Sequence, residues 1–276
     1  MSDGFTEIGD RVFVLRYPIL DVNVTLIVGA EQAMLVDTLS STAQATELAA
    51  AVRQVTPSPL VLVNTHHHFD HCYGNAVLGT DPPRPIWAHE VTARLLAEQP
   101  ERLRRQAYEE ILPTDPALAA DLLGTPIVPP DRTVHQSATV DLGDRHVLLL
   151  HLGRGHTAGD LVVHVPDADV LAAGDLVEEG SSPSFEDGYP VDWPDTVAEL
   201  ARLVTPRTAV VPGHGAVLGT EELTAQHERL ARLAWLIRDG HADGAPVDEL
   251  VPRAPFEPGT AEVAVRRGYA QLAGDG

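Results

Sequence analysis

Leu60-Val61-Leu62-Val63-Asn64-Thr65-His66-His67-His68-Phe69-Asp70-His71 is the stretch on which the fold reading turns. Its first four residues form a continuous apolar run, the composition of a strand covered on both faces. Four histidines and a carboxylate then crowd the turn that follows. Neutral imidazole and carboxylate suit zinc and related transition metals, and a loop at a strand's end can aim alternate side chains at one point. A histidine-rich surface loop is the plainer alternative, but apolar strands seldom end this way.

Working outward, residues 11–15, 22–28 and 33–36 read as short strands rich in β-branched residues and separated by Pro18 and Gly29. Leu48, Ala49, Val52 and Val55 recur at helical spacing over residues 43–55, after Ser40, Ser41 and Thr42 as candidate caps. Downstream, a helical pattern over 91–123 is broken by Pro100, Pro113 and Pro116 and reads as an insertion. Strands return at 146–151, 161–165 and 170–173, followed by a helix over 195–203, a strand over 209–211 and a long helix over 221–238. Residues 240–259 read as a loop rich in Pro, Gly and Asp, ahead of a last helix over 261–272. The expected organisation is one α/β catalytic domain over 1–240, its helical insertion at about 91–123, with a C-terminal loop and helix over 241–276 packed on it.

Hydrophobic residues make up 44% of the 276, enough to bury such a core. Forty acidic residues against 19 basic ones leave a net charge of -21, a field that repels phosphate backbones and anionic membranes. Nucleic acid and membrane are therefore excluded as partners, and a small-molecule substrate is expected. Every basic residue is Arg, which excludes a P-loop lysine and a lysine Schiff base. Cys72 is the only cysteine, so no intramolecular disulfide can form. With no basic-then-apolar leader pattern at the start and no apolar stretch long enough to span a bilayer, a cytoplasmic location is expected.

Three further motifs stand at turns or strand ends: Gly155-His156-Thr157-Ala158-Gly159-Asp160, Gly174-Asp175 and Pro212-Gly213-His214-Gly215. Together with the first, and in this order over residues 60–215, they resemble the His-x-His-x-Asp-His signature and later motifs of the metallo-β-lactamase superfamily. The resemblance implies a four-layer αββα sandwich carrying a helical insertion. It also implies two divalent metal ions, zinc first, with iron or manganese as alternatives. His66, His68 and His156 would hold one ion and Asp70, His71 and His214 the other; Asp175 would bridge them, with Asp70 and Asp175 as the catalytic carboxylates. The activity implied is a metal-dependent hydrolase, in which a hydroxide between the ions attacks the carbonyl of an ester, lactone, thioester or amide. No Gly-x-Ser-x-Gly nucleophile elbow competes with that reading.

An aspartate at position 175 is similar to members like glyoxalase II, lactonases and thioesterases. It is unlike β-lactamases with a cysteine at the second metal, which leaves β-lactam hydrolysis a minor activity. A mononuclear Fe(II) persulfide dioxygenase is the alternative that the same resemblance keeps open, and a monomer or a homodimer is compatible with either.

The remaining candidates have more ordinary readings. His67 should diverge from its neighbours on an extended stretch and stay outside the ligand set. Cys72 reads as a small buried hydrophobe rather than a thiolate ligand. Asp160 either supports a ligand or caps a turn. His89, His135, His146, His151, His164, His227 and His241 lack ligand spacing. Arg102, Arg104 and Arg105 read as a solvated helix face, with contact to a substrate anion the less favoured role. The loop over 181–193, with Phe185, Tyr189 and Trp193, suits an adaptable pocket wall, although core packing by Trp193 weighs equally. Gly153-x-Gly155 starts like a dinucleotide fingerprint, but its third glycine falls one place late at Gly159, so nicotinamide binding is rejected.

Overall fold

The structure, a computed structural model, describes residues 4–80 and 83–274. The chain opens as an antiparallel meander of β1 (Thr6–Gly9), β2 (Val12–Tyr17), β3 (Val22–Val28) and β4 (Ala33–Val36). Helix α1 (Thr42–Val55) returns the chain to β5 (Leu60–Val63), which lies parallel to β4. Ser41 supplies the N-cap of α1 by accepting from the Gln44 N–H, which satisfies one donor that the first turn leaves free. The one-turn helices α2 (Phe69–Cys72) and α3 (Asn75–Leu78) precede β6 (Ile86–His89), parallel to β5.

The predicted insertion resolves into three helices, α4 (Glu90–Glu98), α5 (Pro100–Ile111) and α6 (Pro116–Gly124). Pro100 and Pro116 begin helices rather than break them, because the N–H that proline lacks has no helical partner in the first turn. The apolar face of the insertion sets Leu96, Leu103, Ala107 and Leu122 against Phe69 and Tyr73. That contact parks α5 beside the histidine turn.

The second half runs β7 (Arg132–Val134), β8 (Ser137–Asp141), β9 (His146–Leu150), β10 (Val162–Val165), β11 (Val170–Glu178), α7 (Trp193–Ala201) and β12 (Ala209–His214). It closes with α8 (Thr220–Asp243), α9 (Val247–Leu250) and α10 (Pro258–Ala273). Strands β6, β7 and β8 exceed the sequence expectation; at three to five residues each, they are too short to display a period of two. Helix α8 also outruns its expected end at 238, since Gly240 still belongs to its buried stripe with Leu236 and Ile237. Much of the expected loop over 240–259 is therefore helical, and Leu250 and Phe256 join the core beneath α8 and α10.

Among the described residues the strands pair in the order β7-β6-β5-β4-β3-β12-β11-β10-β9-β8, with β2 on β3 and β1 on β2. A single pairing, Val22 with His214, joins β3 to β12. The two halves pack face to face across that hinge. In β5, Leu60 and Leu62 face α1, packing with Leu48 and Val52, while Val61 and Val63 face the opposite half. On that other half Val163, Val170, Ala172 and Val211 meet them, while Leu171, Ala173 and Val210 pack with Val197, Leu230 and Leu233 of α7 and α8. The layers are helix, sheet, sheet, helix: the four-layer αββα sandwich. Each fully buried Val or Leu in these layers contributes roughly 1.5–3 kcal/mol. No described helix is long and apolar enough to cross a membrane.

Candidate metal centre

The site forms where strands from both halves end at one rim. His66 and His68 leave the end of β5, and the single turn of α2 redirects Asp70 and His71. His156 comes from the turn between β9 and β10, Asp175 from within β11 and His214 from the last residue of β12. The β11–β12 ladder shifts register between Ala172 and Gly174, a bulge that re-aims the next residue, Asp175. Gly174 takes φ 54° and packs on Thr65, a conformation and a closeness that a side chain would oppose. Gly213 is similarly constrained, because a Cβ there would strike the Asp175 carboxylate.

All seven ligand candidates converge in two sets. In the first, His68 Nδ1 lies 2.8 Å from His156 Nε2, while Asp175 Oδ2 lies 3.4 Å from His156 Nε2 and 3.7 Å from His66 Nε2. In the second, His71 Nε2, His214 Nε2 and Asp70 Oδ2 form a near-equilateral triangle of 3.3, 3.4 and 3.3 Å edges. Asp175 also reaches this triangle, with Oδ1 3.2 Å from His71 Nε2 and Oδ2 3.4 Å from His214 Nε2. Donors about 2.1 Å from a tetrahedral zinc stand roughly 3.3–3.4 Å apart, so the triangle has a zinc-sized edge.

Two atoms test whether a cation fits. His66 Nε2 and Asp175 Oδ1 are buried and have no hydrogen-bond partner, a costly state for polar atoms unless something else occupies them. Both point into the cluster. The donor set of imidazole nitrogens and carboxylate oxygens is that of a zinc-type ion, so the residues fit the group.

The outward-facing nitrogens are held as ligands require. His71 Nδ1 lies 2.8 Å from Asp37 Oδ2, His66 Nδ1 3.0 Å from Thr65 Oγ1 and His214 Nδ1 2.7 Å from the Leu20 carbonyl. His68 Nε2 lies 3.1 Å from Asp187 Oδ2 and His156 Nδ1 3.3 Å from the Ser184 carbonyl. Asp37 also accepts from the Thr65 N–H at 2.7 Å and the Thr65 hydroxyl at 2.8 Å, tying β4 to the histidine turn. Asp37, Thr65, Asp187 and Glu178 are the site residues that sequence reasoning missed. For Asp37 a signal existed, a carboxylate directly after a buried strand; Asp187 sits in an acidic loop with no distinguishing pattern.

The electrostatics differ from ring to ring: burial lowers His68 of the first set, but the Asp187 carboxylate outweighs it and leaves His68 raised. Burial, reinforced by neighbouring histidines, drops His66 well below its ordinary pKa and His156 to about 3, leaving neutral rings with free lone pairs. Burial opposes the charged form of His71 and His214 as well. There the carboxylates win: Asp175, Asp70 and Asp37 raise His71 well above its usual value, and Asp175 with Asp70 raises His214 to about 10.

Other expectations separate. His67 is buried with Nε2 3.5 Å from Asp187, outside both sets. Cys72 is buried, its thiol directed at the His67 and His68 carbonyls, and burial pushes its pKa well up. Asp160 caps the turn after His156 through the Thr157 N–H and hydroxyl; burial raises it to about 7. His89, Glu90 and His135 cluster elsewhere, but both His89 nitrogens are engaged, by the Val91 N–H and the His135 carbonyl. The remaining four histidines outside the motifs, apart from His151 stacked on His89, join no donor cluster among the described residues.

Comparison with known proteins settles the lineage. The sequence pattern described as "Metallo-beta-lactamase superfamily" matches residues 17–215. The chain belongs to the metallo-β-lactamase superfamily. It is 27% identical to the acyl-coenzyme A thioesterase MBLAC2 of Gallus gallus over 241 residues, 81% of this chain and 79% of the relative. A metallo-β-lactamase type 2 of Bacteroides fragilis is 25% identical over 79% of this chain and 81% of its own. Among solved structures, a metallo-β-lactamase from Pontibacter korlensis superposes with TM-score 0.66 at 23% identity, covering 82% of this chain and 98% of that one. That last likeness speaks for the fold. Membership and these relatives mark the chain as a metal-binding hydrolase.

Over this centre opens a cavity of about 250 Å³, walled by Phe69, Tyr73, Leu103 and Ile111 on one side and by Ser181, Ser184 and Glu186 on another. The insertion thus reaches the site, but through Leu103, Gln106 and Glu110 rather than through its arginines. Arg102 and Arg104 bond Gln99 and Glu101 along α5, and neither they nor Arg105 line the cavity. In the loop over 181–193 the aromatics turn away too: Phe185 and Trp193 are core residues, and Tyr189 lies under Arg154. Large rings gain more from full burial than from a wet wall, so serines and acids face the cavity instead.

Proposed function

We propose that this chain is a dinuclear hydrolase of esters, lactones and thioesters, with His66, His68 and His156 on one zinc ion and Asp70, His71 and His214 on the other. Asp175 would be shared by both ions, and Asp70 and Asp175 would serve as the catalytic carboxylates. The observation that carries the reading is the pair of orphaned buried atoms, His66 Nε2 and Asp175 Oδ1, inside a cage of seven donors. When bound, the two ions supply Lewis acidity near neutral pH. Asp37 and Thr65 keep His71 and His66 protonated on Nδ1, so each presents Nε2 inward. Asp70 and Asp175 offset the positive charge of the centre. Phe69, Tyr73 and Leu103 shield the reacting carbonyl from bulk water.

Thioesters enter because the relative from Gallus gallus is named an acyl-coenzyme A thioesterase, and the aspartate at 175 keeps the glyoxalase II-like members in view. In the same reading, residues 1–240 form the catalytic unit with 241–276 packed on it, and the enzyme is cytoplasmic.

Elemental analysis of purified protein should find close to two zinc ions per chain. A panel of p-nitrophenyl esters, lactones, thioesters and a chromogenic cephalosporin should show turnover on the first three classes. Asp175→Ala should lower metal content and turnover together. One iron per chain, with oxygen uptake on a glutathione persulfide, would overturn the reading in favour of a dioxygenase.

A further inference from the structure

We propose, resting on the dinuclear reading above, that Glu178 is an eighth metal ligand. It joins Asp70, His71, Asp175 and His214 around the second ion, raises the coordination there to five or six, and lets this position accept manganese as well as zinc. The inference starts from the strand. On a regular β-strand Asp175 and Glu178, three residues apart, would face opposite sides. In β11 both line the cavity, while Leu176 and Val177 between them both pack into the core with α7 and α8. The alternation breaks because Gly174 pairs with Pro212 and Glu178 with His214, so β11 advances four residues where β12 advances two. Surplus residues of this kind make a bulge, the device by which a strand re-aims a side chain. Here it sets Glu178 directly across from a metal ligand.

Donor atoms of Asp175, Glu178 and His214 lie within 4.8 Å of one another. Donors roughly 2.0–2.2 Å from an ion stand up to about 4.4 Å apart across it, so the Glu178 carboxylate needs little movement to share an ion with the other two. Asp175, whose buried Oδ1 has no hydrogen-bond partner, belongs to this group as well. Facing His214, Glu178 offsets that ring's proton in the metal-free chain, and a cation takes the proton's place when His214 coordinates. The two positions then differ in chemistry. The first offers three imidazoles and one carboxylate, a tetrahedral set suited to zinc. The second offers two imidazoles and three carboxylates, more donors and harder ones, which suit manganese.

The test titrates the metal-free protein with Mn(II), the free ion counted by electron paramagnetic resonance, and with Co(II), whose visible d–d bands weaken as coordination number rises. Wild type should bind one Mn(II) per chain and give weak bands for the cobalt at the second position. Glu178→Gln removes the ligand, whereas Glu178→Asp keeps the charge and withdraws it by one methylene. Each should weaken Mn(II) binding by about tenfold or more, the least that a lost outer hydrogen bond already costs, and intensify the bands. Zinc affinity at the first position, read by chelator competition, and circular dichroism should stay as in wild type. Wild-type manganese affinity and bands in Glu178→Asp mean that charge alone matters, which overturns the proposal, as does loss of zinc from both positions in a folded variant. Strong, four-coordinate bands for both cobalt ions of the wild type overturn it without any variant. Two ions per chain with affinities and bands unchanged in both variants sink the Glu178 assignment and leave the dinuclear hydrolase. A single ion per chain in the wild type sinks the dinuclear reading, while bands that still intensify in both variants uphold Glu178.

Discussion

Asp37→Asn replaces one carboxylate oxygen by an amide nitrogen and should disarm both metal sets without unfolding the protein. Asp37 takes φ 67°, a left-handed conformation that asparagine tolerates about as well as aspartate, so the backbone accepts the change. The Thr65 N–H, 2.7 Å from Oδ1, can only donate, so the amide oxygen of the substituted side chain must take that place. Its NH2 group then occupies the position of Oδ2, facing His71 Nδ1 and the Thr65 hydroxyl, each 2.8 Å away. A donor now meets His71 Nδ1, which has to become an acceptor, and the ring proton moves to Nε2, where a metal would bind. The Thr65 hydroxyl, now accepting from the introduced amide, turns its own hydrogen toward His66 Nδ1 and reverses that ring as well.

One ligand in each set is thereby switched to the wrong tautomer, and loss of such an outer hydrogen bond typically costs about 10–100-fold in metal affinity. That equals roughly 1.4–2.8 kcal/mol per ion. Resisting the switch leaves donors facing each other, at a similar cost of about 1–3 kcal/mol. Competition titration with a chromogenic zinc chelator reads the affinities, and urea unfolding of the metal-free protein confirms that the fold persists. Wild-type affinity for both ions in Asp37→Asn would refute the tautomer argument.

Further outcomes follow from the same geometry. The His66 and His156 rings are already neutral at pH 7, whereas His71 and His214 hold protons that coordination must expel, and in the first set only His68 is shifted the same way, so binding at the Asp70, His71 and His214 set should weaken more steeply as pH falls; calorimetry in buffers of different ionisation enthalpy should show fewer protons released on metal binding to a variant lacking His214. In the metal-free protein the stabilisation from protonated His214 is complete below its ordinary 6.5 and vanishes as pH rises through about 10, so the chelated protein should lose thermal stability across that window. Gly213→Ala should displace Asp175 and strip metal from the folded protein, seen as reduced zinc content with circular dichroism unchanged. Cys72 should resist a thiol reagent such as 5,5′-dithiobis(2-nitrobenzoate) in the native state and react at once in denaturant, since burial holds its thiol protonated.

The histidine turn was legible because it follows a buried apolar run, a local pattern that survives in one dimension, and the full set of seven candidates because four short motifs in order resemble those of one family. His66, His68, Asp70, His71, His156, Asp175 and His214 were picked out through that resemblance, as was the helix, sheet, sheet, helix layering. Leu60 and Leu62 against Val61 and Val63 even foreshadow which face meets a helix and which meets the other sheet. Tertiary structure alone decided what stands behind and in front of those donors. Asp37, 34 residues from His71, and Asp187, 119 residues from His68, act through contacts that no spacing rule encodes. The same holds for the cavity: the arginines of α5 and the aromatics after β11 look like binding residues in sequence, yet packing turns them away and presents Glu110, Glu178 and Glu186 instead. Strand ends are local events set by neighbouring residues, whereas the charge of a cavity is the sum over distant segments and exists only once they meet.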